Sequence, residues 1–93
     1  MYHDLKKITN IEPKQYYQRY VFGSAVYSDV PADIDIAIIY DENAISVKDA
    51  LEYKREIREH LSLLLSMDID IILLSQNEEK EVCFLKNAKH FQF

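Results

Sequence analysis

The chain has 93 residues, of which 16 are acidic and 11 are basic, and its formal net charge is −5. A domain of this size has a modest core, and an acidic chain lacks the basic face that broad nucleic-acid binding requires. Its single cysteine excludes an internal disulfide, and no apolar stretch resembles a signal peptide or a membrane span, so we expect one cytoplasmic domain over residues 1–93.

The first third of the chain predicts three short helices and one strand. In order, these are a marginal helix over residues 1–10, a brief helix over 13–17, a strand over 19–22 and a short helix over 24–28. Pro13 suits the first turn of the second helix, and the strand is rich in aromatic and β-branched residues. Pro31 prevents the third helix from continuing.

The rest of the chain alternates strands with helices. Residues 33–40 and 67–74 both begin with alternating acidic and apolar residues and end in an apolar run, which predicts two strands. Between them Ser46 resembles an N-cap and opens a long amphipathic helix, whose expected inward residues are Val47, Ala50, Leu51, Ile57, Leu61, Leu64 and Leu65. A closing strand over 90–93 follows a last helix over 75–87, whose expected inward residues are Val82, Leu85 and Ala88.

Helices that connect strands cover the faces of the sheet those strands form. We therefore expect an α/β (α+β) fold, a mixed sheet of three to four strands with helices packed on it. No internal repeat is present in the sequence.

Two acidic residues at the head of the second strand form a candidate metal site. Asp33 and Asp35 are two residues apart, so their side chains leave the same face of the strand. When two carboxylates lie so near each other, the charge of one disfavours ionisation of the other unless a cation neutralises them. Mg²⁺ prefers such hard oxygen ligands. If Asp70 of the third strand lies beside them, the three carboxylates could hold two Mg²⁺ ions for phosphoryl transfer, with Asp68 as the rival for the third position.

The only glycine of the chain, Gly23, follows the first strand and precedes Ser24. A glycine at a strand end lets the backbone approach a phosphate closely, and the N-terminus of the following helix offers unpaired N–H groups to an anion. Ser24 adds a hydroxyl donor. The histidines at 3, 60 and 90 and Cys83 lack the spacing of metal ligands, and we expect structural or surface roles for them.

Three motifs together resemble the minimal nucleotidyltransferases of the DNA polymerase beta superfamily. They are Phe22-Gly23-Ser24, Asp33-Ile34-Asp35-Ile36 and Asp70-Ile71-Ile72-Leu73, and the similarity covers a core of about residues 18–93. The resemblance implies a Mg²⁺-dependent transfer of a nucleoside monophosphate from a nucleoside triphosphate, with ATP expected, to a hydroxyl acceptor. It also implies metal binding by the three aspartates and binding of the β- and γ-phosphates by Gly23 and Ser24.

The same family is often found beside HEPN-type proteins in prokaryotic toxin–antitoxin pairs, which implies a HEPN-type partner, and a homo-oligomer also stays open. Eight residues separate Ser24 from Asp33, fewer than the family usually has. Residues 25–27 stand where the family commonly has an arginine. These departures favour an alternative, a catalytically inactive interaction module or antitoxin-type subunit that binds such a partner. A third possibility is a plain α/β domain with incidental acidic strand ends.

Overall fold

The structure, a computed structural model, describes residues 2–93, apart from the side chains of Thr9 and Asn10. An N-terminal 3-10 helix is followed by four strands and four α-helices. The elements are the 3-10 helix His3–Asn10, β1 Tyr17–Phe22, α1 Ser24–Tyr27, β2 Ile34–Tyr40, α2 Val47–Leu65, β3 Ile69–Ser75, α3 Gln76–Val82, α4 Phe84–Asn87 and β4 His90–Gln92. The expected α/β fold with a mixed sheet of three to four strands is confirmed, and the sheet has four strands.

The sheet has the strand order β3-β2-β1-β4. Strand β1 runs antiparallel to both of its neighbours, β2 and β4, whereas β2 and β3 are parallel. A parallel pair needs a crossover connection, and α2 supplies it. The N-terminal ends of β2 and β3 therefore meet the C-terminal end of β1 at one end of the sheet.

One face of the sheet carries the larger core. Alternate residues of β2 point to this face because side chains along a strand alternate between its two sides. Helix α2 and the 3-10 helix pack there, and the buried cluster includes Leu5, Ile8, Val21, Ile34, Ile36, Ile38, Tyr53, Ile57, Leu61 and Leu65. Helix α2 begins at the expected N-cap, where the Ser46 hydroxyl accepts a hydrogen bond from the Asp49 amide at 3.1 Å.

The inward face of α2 differs from the expected one at its first turns. Val47 and Leu51 were expected in the core but are 61% and 52% exposed, whereas Tyr53 is 5% exposed. The buried stripe starts at Ala50 and continues at intervals of three or four residues. Leu51 lies one helical step, about 100°, off that stripe, and Val47 is the first residue of the helix.

Three other sequence expectations need correction. Residues 13–17 form no helix: residues 15 and 16 form a turn in which Tyr16 has a φ of 74°, and β1 already begins at Tyr17. The last helix is divided at Cys83, whose φ of 51° and ψ of 44° are left-handed, and Val82 is 57% exposed instead of inward. The N-terminal segment is helical as expected but as a 3-10 helix, and Met1 lies outside the described residues.

A buried arginine ties the loop before β1 to the C-terminal strand region. Arg19 is 3% exposed, and its guanidinium donates hydrogen bonds to the carbonyls of Ile11, Glu12 and Phe93 at 3.0–3.2 Å. It also lies 5.0 Å from the centroid of the Phe93 ring. No local sequence pattern indicates this role, because Arg19 resembles an ordinary surface position of a strand. Among residues 2–93, none of the helices has the length and apolar character needed to cross a membrane.

Candidate functional site

Three carboxylates meet at the end of the sheet where β2 and β3 begin. Asp35 and Asp70 are paired in the parallel register of β2 and β3, and Asp33 immediately precedes β2. Because side chains alternate along a strand, all three leave the face opposite to α2. One oxygen atom from each of Asp33, Asp35 and Asp70 lies within 4.8 Å of the others.

Among the residues that the structure describes, Asp68 is not part of this group of carboxylates. It precedes β3, its side chain is exposed, and its backbone carbonyl accepts a hydrogen bond from the Ile34 amide at 3.0 Å. That bond fixes the entry of both parallel strands. The strand expected to start at residue 67 thus begins at Ile69, after Asp68.

A shared hydrogen bond, burial and neighbouring negative charge raise the pKa of two of the carboxyls. The pKa of Asp33 lies above its ordinary value of 3.8, chiefly because its carboxyl shares a hydrogen bond with Asp70, and also through desolvation and the charges of Asp70 and Asp68. The pKa of Asp35 is raised mainly by burial and further by the charges of Asp33 and Asp70. A cation placed among these oxygens would offset the repulsion between the carboxylates, since opposite charge favours the ionised form.

Gly23 brings the backbone against the carboxylate group. It has a φ of 75° and a ψ of −151°, a conformation that residues with a side chain rarely adopt. A Cβ atom built there would overlap Oδ2 of Asp35 and would lie 3.1 Å from its Cγ. Glycine is therefore required at this position for two separate reasons, the backbone conformation and the close approach to Asp35.

The helix that follows Gly23 is shorter than the sequence suggested. Helix α1 spans only Ser24–Tyr27, and its first turn closes with a hydrogen bond from the Val26 amide to the Gly23 carbonyl at 3.0 Å. So few aligned peptide units give little macrodipole. Helix α1 and its turn therefore offer an anion only the amides of the turn and the hydroxyl of the exposed Ser24.

Two of the three carboxylates, those of Asp35 and Asp70, belong to a row of side chains that crosses the whole sheet. The cross-strand pairs Asp70–Asp35, Asp35–Phe22 and Phe22–His90 place one residue of each strand side by side. Since directly paired residues share a face, the row forms a floor about 14 Å wide, or three strand spacings. Sequence reasoning missed this row, because the pairing of β4 with β1 has no local signature.

The rest of this sheet face is covered. Tyr20, Ala37 and Ile39 are buried there, and the partly buried residues packed on them are Phe22, Leu74, Phe84 and Leu85. The Phe84 ring meets the Phe22 ring edge-on, with centroids 4.8 Å apart. Helices α3 and α4 thus bound the floor on one side and leave the end with the carboxylates open.

Comparison with known proteins identifies one family. A family model described as polymerase beta, nucleotidyltransferase, matches residues 4–89. The chain matches no curated protein and no solved structure.

Proposed function

Because the chain belongs to the polymerase beta nucleotidyltransferase family, we propose that it transfers a nucleoside monophosphate from a nucleoside triphosphate to a hydroxyl acceptor. ATP is the nucleotide proposed. The observation that supports this most is the approach of Asp33, Asp35 and Asp70 to within 4.8 Å of one another, next to the one glycine turn of the chain. The family match over residues 4–89 also supports treating residues 1–93 as one domain.

The three carboxylates fit Mg²⁺ as the cofactor. They offer hard oxygen ligands. A shared hydrogen bond with Asp70 raises the pKa of Asp33 and burial raises that of Asp35, and the neighbouring carboxylates raise both further, so a cation would favour their ionised forms. When bound, one or two Mg²⁺ ions would neutralise the carboxylates and the phosphates and make the acceptor hydroxyl more acidic. In this proposal Asp33 and Asp35 are the main ligands and Asp70 completes the set.

The residues of the chain would divide the remaining work as follows. The amide backbone of Gly23 and the hydroxyl of Ser24 hold the β- and γ-phosphates, and Asp70 takes the proton of the acceptor hydroxyl. The acceptor oxygen then bonds to the α-phosphorus, while the bond between the α-phosphorus and the oxygen that links it to the β-phosphorus breaks. Pyrophosphate leaves with the bonding electron pair, so that atoms and charge balance.

The acceptor in this proposal is a hydroxyl of a macromolecule, for which a tyrosine of a HEPN-type partner in the cytoplasm is our choice. Asp70 is exposed, and the carboxylates lie at the open end of this sheet face, which a large acceptor can reach. A chain of 93 residues has little surface left to build a private pocket for a small acceptor. A homo-oligomer is compatible with the same open face.

The direct test is label transfer from ATP labelled at the α-phosphorus, in the presence of Mg²⁺ and a candidate HEPN-type protein. We expect label on the partner and an equal amount of pyrophosphate. With ATP labelled at the γ-phosphorus instead, we expect no label on the partner. Asp35→Asn should abolish transfer, whereas Glu59→Gln, which removes one charge from the exposed face of α2, should not. Transfer at an unchanged rate in Asp35→Asn would overturn the mechanism.

A second candidate function is a catalytically silent subunit that covers a partner's surface. Helix α1 favours it, because Ala25 and Val26 are buried and Tyr27 is uncharged, so this helix offers a phosphate no cation. Calorimetry with ATP and Mg²⁺ separates the two candidates. If the chain forms a complex with the HEPN-type protein but binds neither nucleotide nor metal, only the interaction role remains.

A further inference from the structure

The antiparallel pairing of β1 with β4 brings a lysine next to the glycine turn. Val21 pairs with Phe91 and Phe22 with His90, so the register extended by one residue sets Lys89 opposite Gly23. Lys89 immediately precedes β4 and is exposed. No local pattern in the sequence links positions 23 and 89; only the pairing of the two strands does.

The side chain of Lys89 extends over α1. Its Nζ lies 5.2 Å from the centroid of the Tyr27 ring. Tyr27 is the last residue of the four-residue helix that starts after Gly23, and it is 66% exposed. Because directly paired residues of antiparallel strands lie about 5 Å apart, the backbone of Lys89 lies next to the Gly23 turn, while its ammonium group lies over the last residue of α1.

The contact between Lys89 and Tyr27 can be exchanged for another partner. An exposed cation–π contact is weak, and the four-carbon stem of lysine lets its ammonium group move by several ångströms. A phosphate at Gly23–Ser24 would lie within this range. Charge favours the exchange, because a bound triphosphate and three carboxylates would leave about three negative charges uncompensated even with two Mg²⁺ ions present.

The other cations with aromatic contacts, Lys14 and Arg19, are directed away from the Gly23 turn. Lys14 precedes β1 and lies over the rings of Tyr17 and Tyr53, at the end of β1 that is remote from Gly23. Arg19 is the third residue of β1, and its buried guanidinium donates hydrogen bonds to the carbonyls of Ile11 and Glu12.

We infer that Lys89 binds the β- and γ-phosphates of the nucleotide at the Gly23–Ser24 turn, replacing a cation that α1 does not carry. The inference rests on the proposed function and deepens it by naming a further substrate-binding residue. The α-phosphate and the nucleoside lie toward the aspartates, so Lys89 distinguishes triphosphates from monophosphates and leaves the metal ligands unaffected.

The test is calorimetric titration of the full chain with ATP, inorganic tripolyphosphate and AMP, each with Mg²⁺. We expect Lys89→Gln to lower the affinity for ATP and for tripolyphosphate about 10-fold, as for the loss of one charge-assisted hydrogen bond. The affinity for AMP should fall less than about 2-fold. Lys89→Arg should restore most of the affinity. Lys48→Gln, which removes an exposed charge from α2 on the other side of the sheet, is the matched control and should bind like the wild type.

The outcomes separate the inference from the proposed function. If Lys89→Gln binds ATP and tripolyphosphate as tightly as Lys48→Gln does, the inference is wrong while the proposed function stands. If the wild type binds none of the three ligands, the proposed function fails and the inference fails with it. Equal weakening of ATP and AMP by Lys89→Gln would also overturn the inference, because a contact with the terminal phosphates cannot affect AMP.

Discussion

The carboxylate of Asp35 fills the space that a side chain at position 23 would occupy. A Cβ on Gly23 would overlap Oδ2 of Asp35 and would lie 3.3 Å from its Cβ. The turn and the candidate metal ligand are therefore coupled by direct contact. A change at either position must affect the other, although Gly23 lies in the turn after β1, Asp35 lies on β2, and the two residues are twelve positions apart in the chain.

Gly23→Ala should destabilise the protein and displace Asp35. We expect a loss of about 1–3 kcal/mol in the free energy of unfolding, from the unfavourable φ of 75° and from the overlap with Asp35. Urea denaturation measures the first effect, and a weaker affinity for Mg²⁺ by calorimetry reports the second.

A double-mutant cycle separates these two causes. In an Asp35→Ala background the carboxylate is gone, so Gly23→Ala should cost less, with only the backbone strain and part of the contact left. The same cost in both backgrounds would show that the contact between the two residues has no energetic weight.

Asp35→Asn should stabilise the metal-free protein while it removes the stabilisation by Mg²⁺. The raised pKa of Asp35 means that its negative charge is unfavourable in the folded state, and a neutral amide does not carry this charge. Because the group is partly exposed and screened, the gain is at most about 1 kcal/mol. Thermal melting with and without Mg²⁺ measures both effects, and Glu59→Gln is the control for the lost charge. A lower melting temperature of metal-free Asp35→Asn would contradict this reasoning.

The pH dependence of stability should change sign with metal. In the metal-free protein the folded-state pKa values of Asp33 and Asp35 lie above 3.8, so the folded state holds more protons than the unfolded state between 3.8 and the raised values. Stability contributed by these two groups therefore falls as the pH rises through this window. With saturating Mg²⁺ the ionised forms are favoured, and stability should rise with pH instead.

The measurement for this prediction is the difference in unfolding free energy between the wild type and Asp33→Asn/Asp35→Asn, followed from pH 3 upward. The difference isolates the two carboxyls from the other acidic groups. A difference that grows in favour of the wild type with rising pH, without metal, would show that the crowding is relieved by some other group.

Arg19→Met should destabilise the fold without changing the metal site. The substitution leaves the carbonyls of Ile11, Glu12 and Phe93 without their donor, and we expect a loss of about 2–4 kcal/mol. Arg58→Met on the exposed face of α2 should change stability by less than about 0.5 kcal/mol. Chemical denaturation checks the difference, and Mg²⁺ affinity of the folded variant should match the wild type. An equal effect of the two substitutions would mean that the buried hydrogen bonds of Arg19 add nothing.

Several features of the site follow from the sequence because they depend on local geometry. Asp33 and Asp35 share a face since side chains along a strand repeat every two residues. The lone glycine marks the turn whose φ of 75° and ψ of −151° residues with a side chain rarely adopt. The Ser46 cap and the length of α2 also follow from local rules. Local rules failed at residues 13–17 and at Cys83, where two turns with left-handed residues replaced helix.

The sequence by itself determined the order of the elements, the α/β class, the family motifs and the pairing of two carboxylates on one strand. Only the tertiary structure decided that Asp70 and not Asp68 joins them, that Arg19 is buried, and that the pairing of Phe22 with His90 brings the neighbouring Lys89 toward the Gly23 turn. The physical reason is that periodicity and turn chemistry act between neighbours in the chain. Strand register is instead set by packing and hydrogen bonds between distant segments, and a shift of one residue would turn every side chain to the other face.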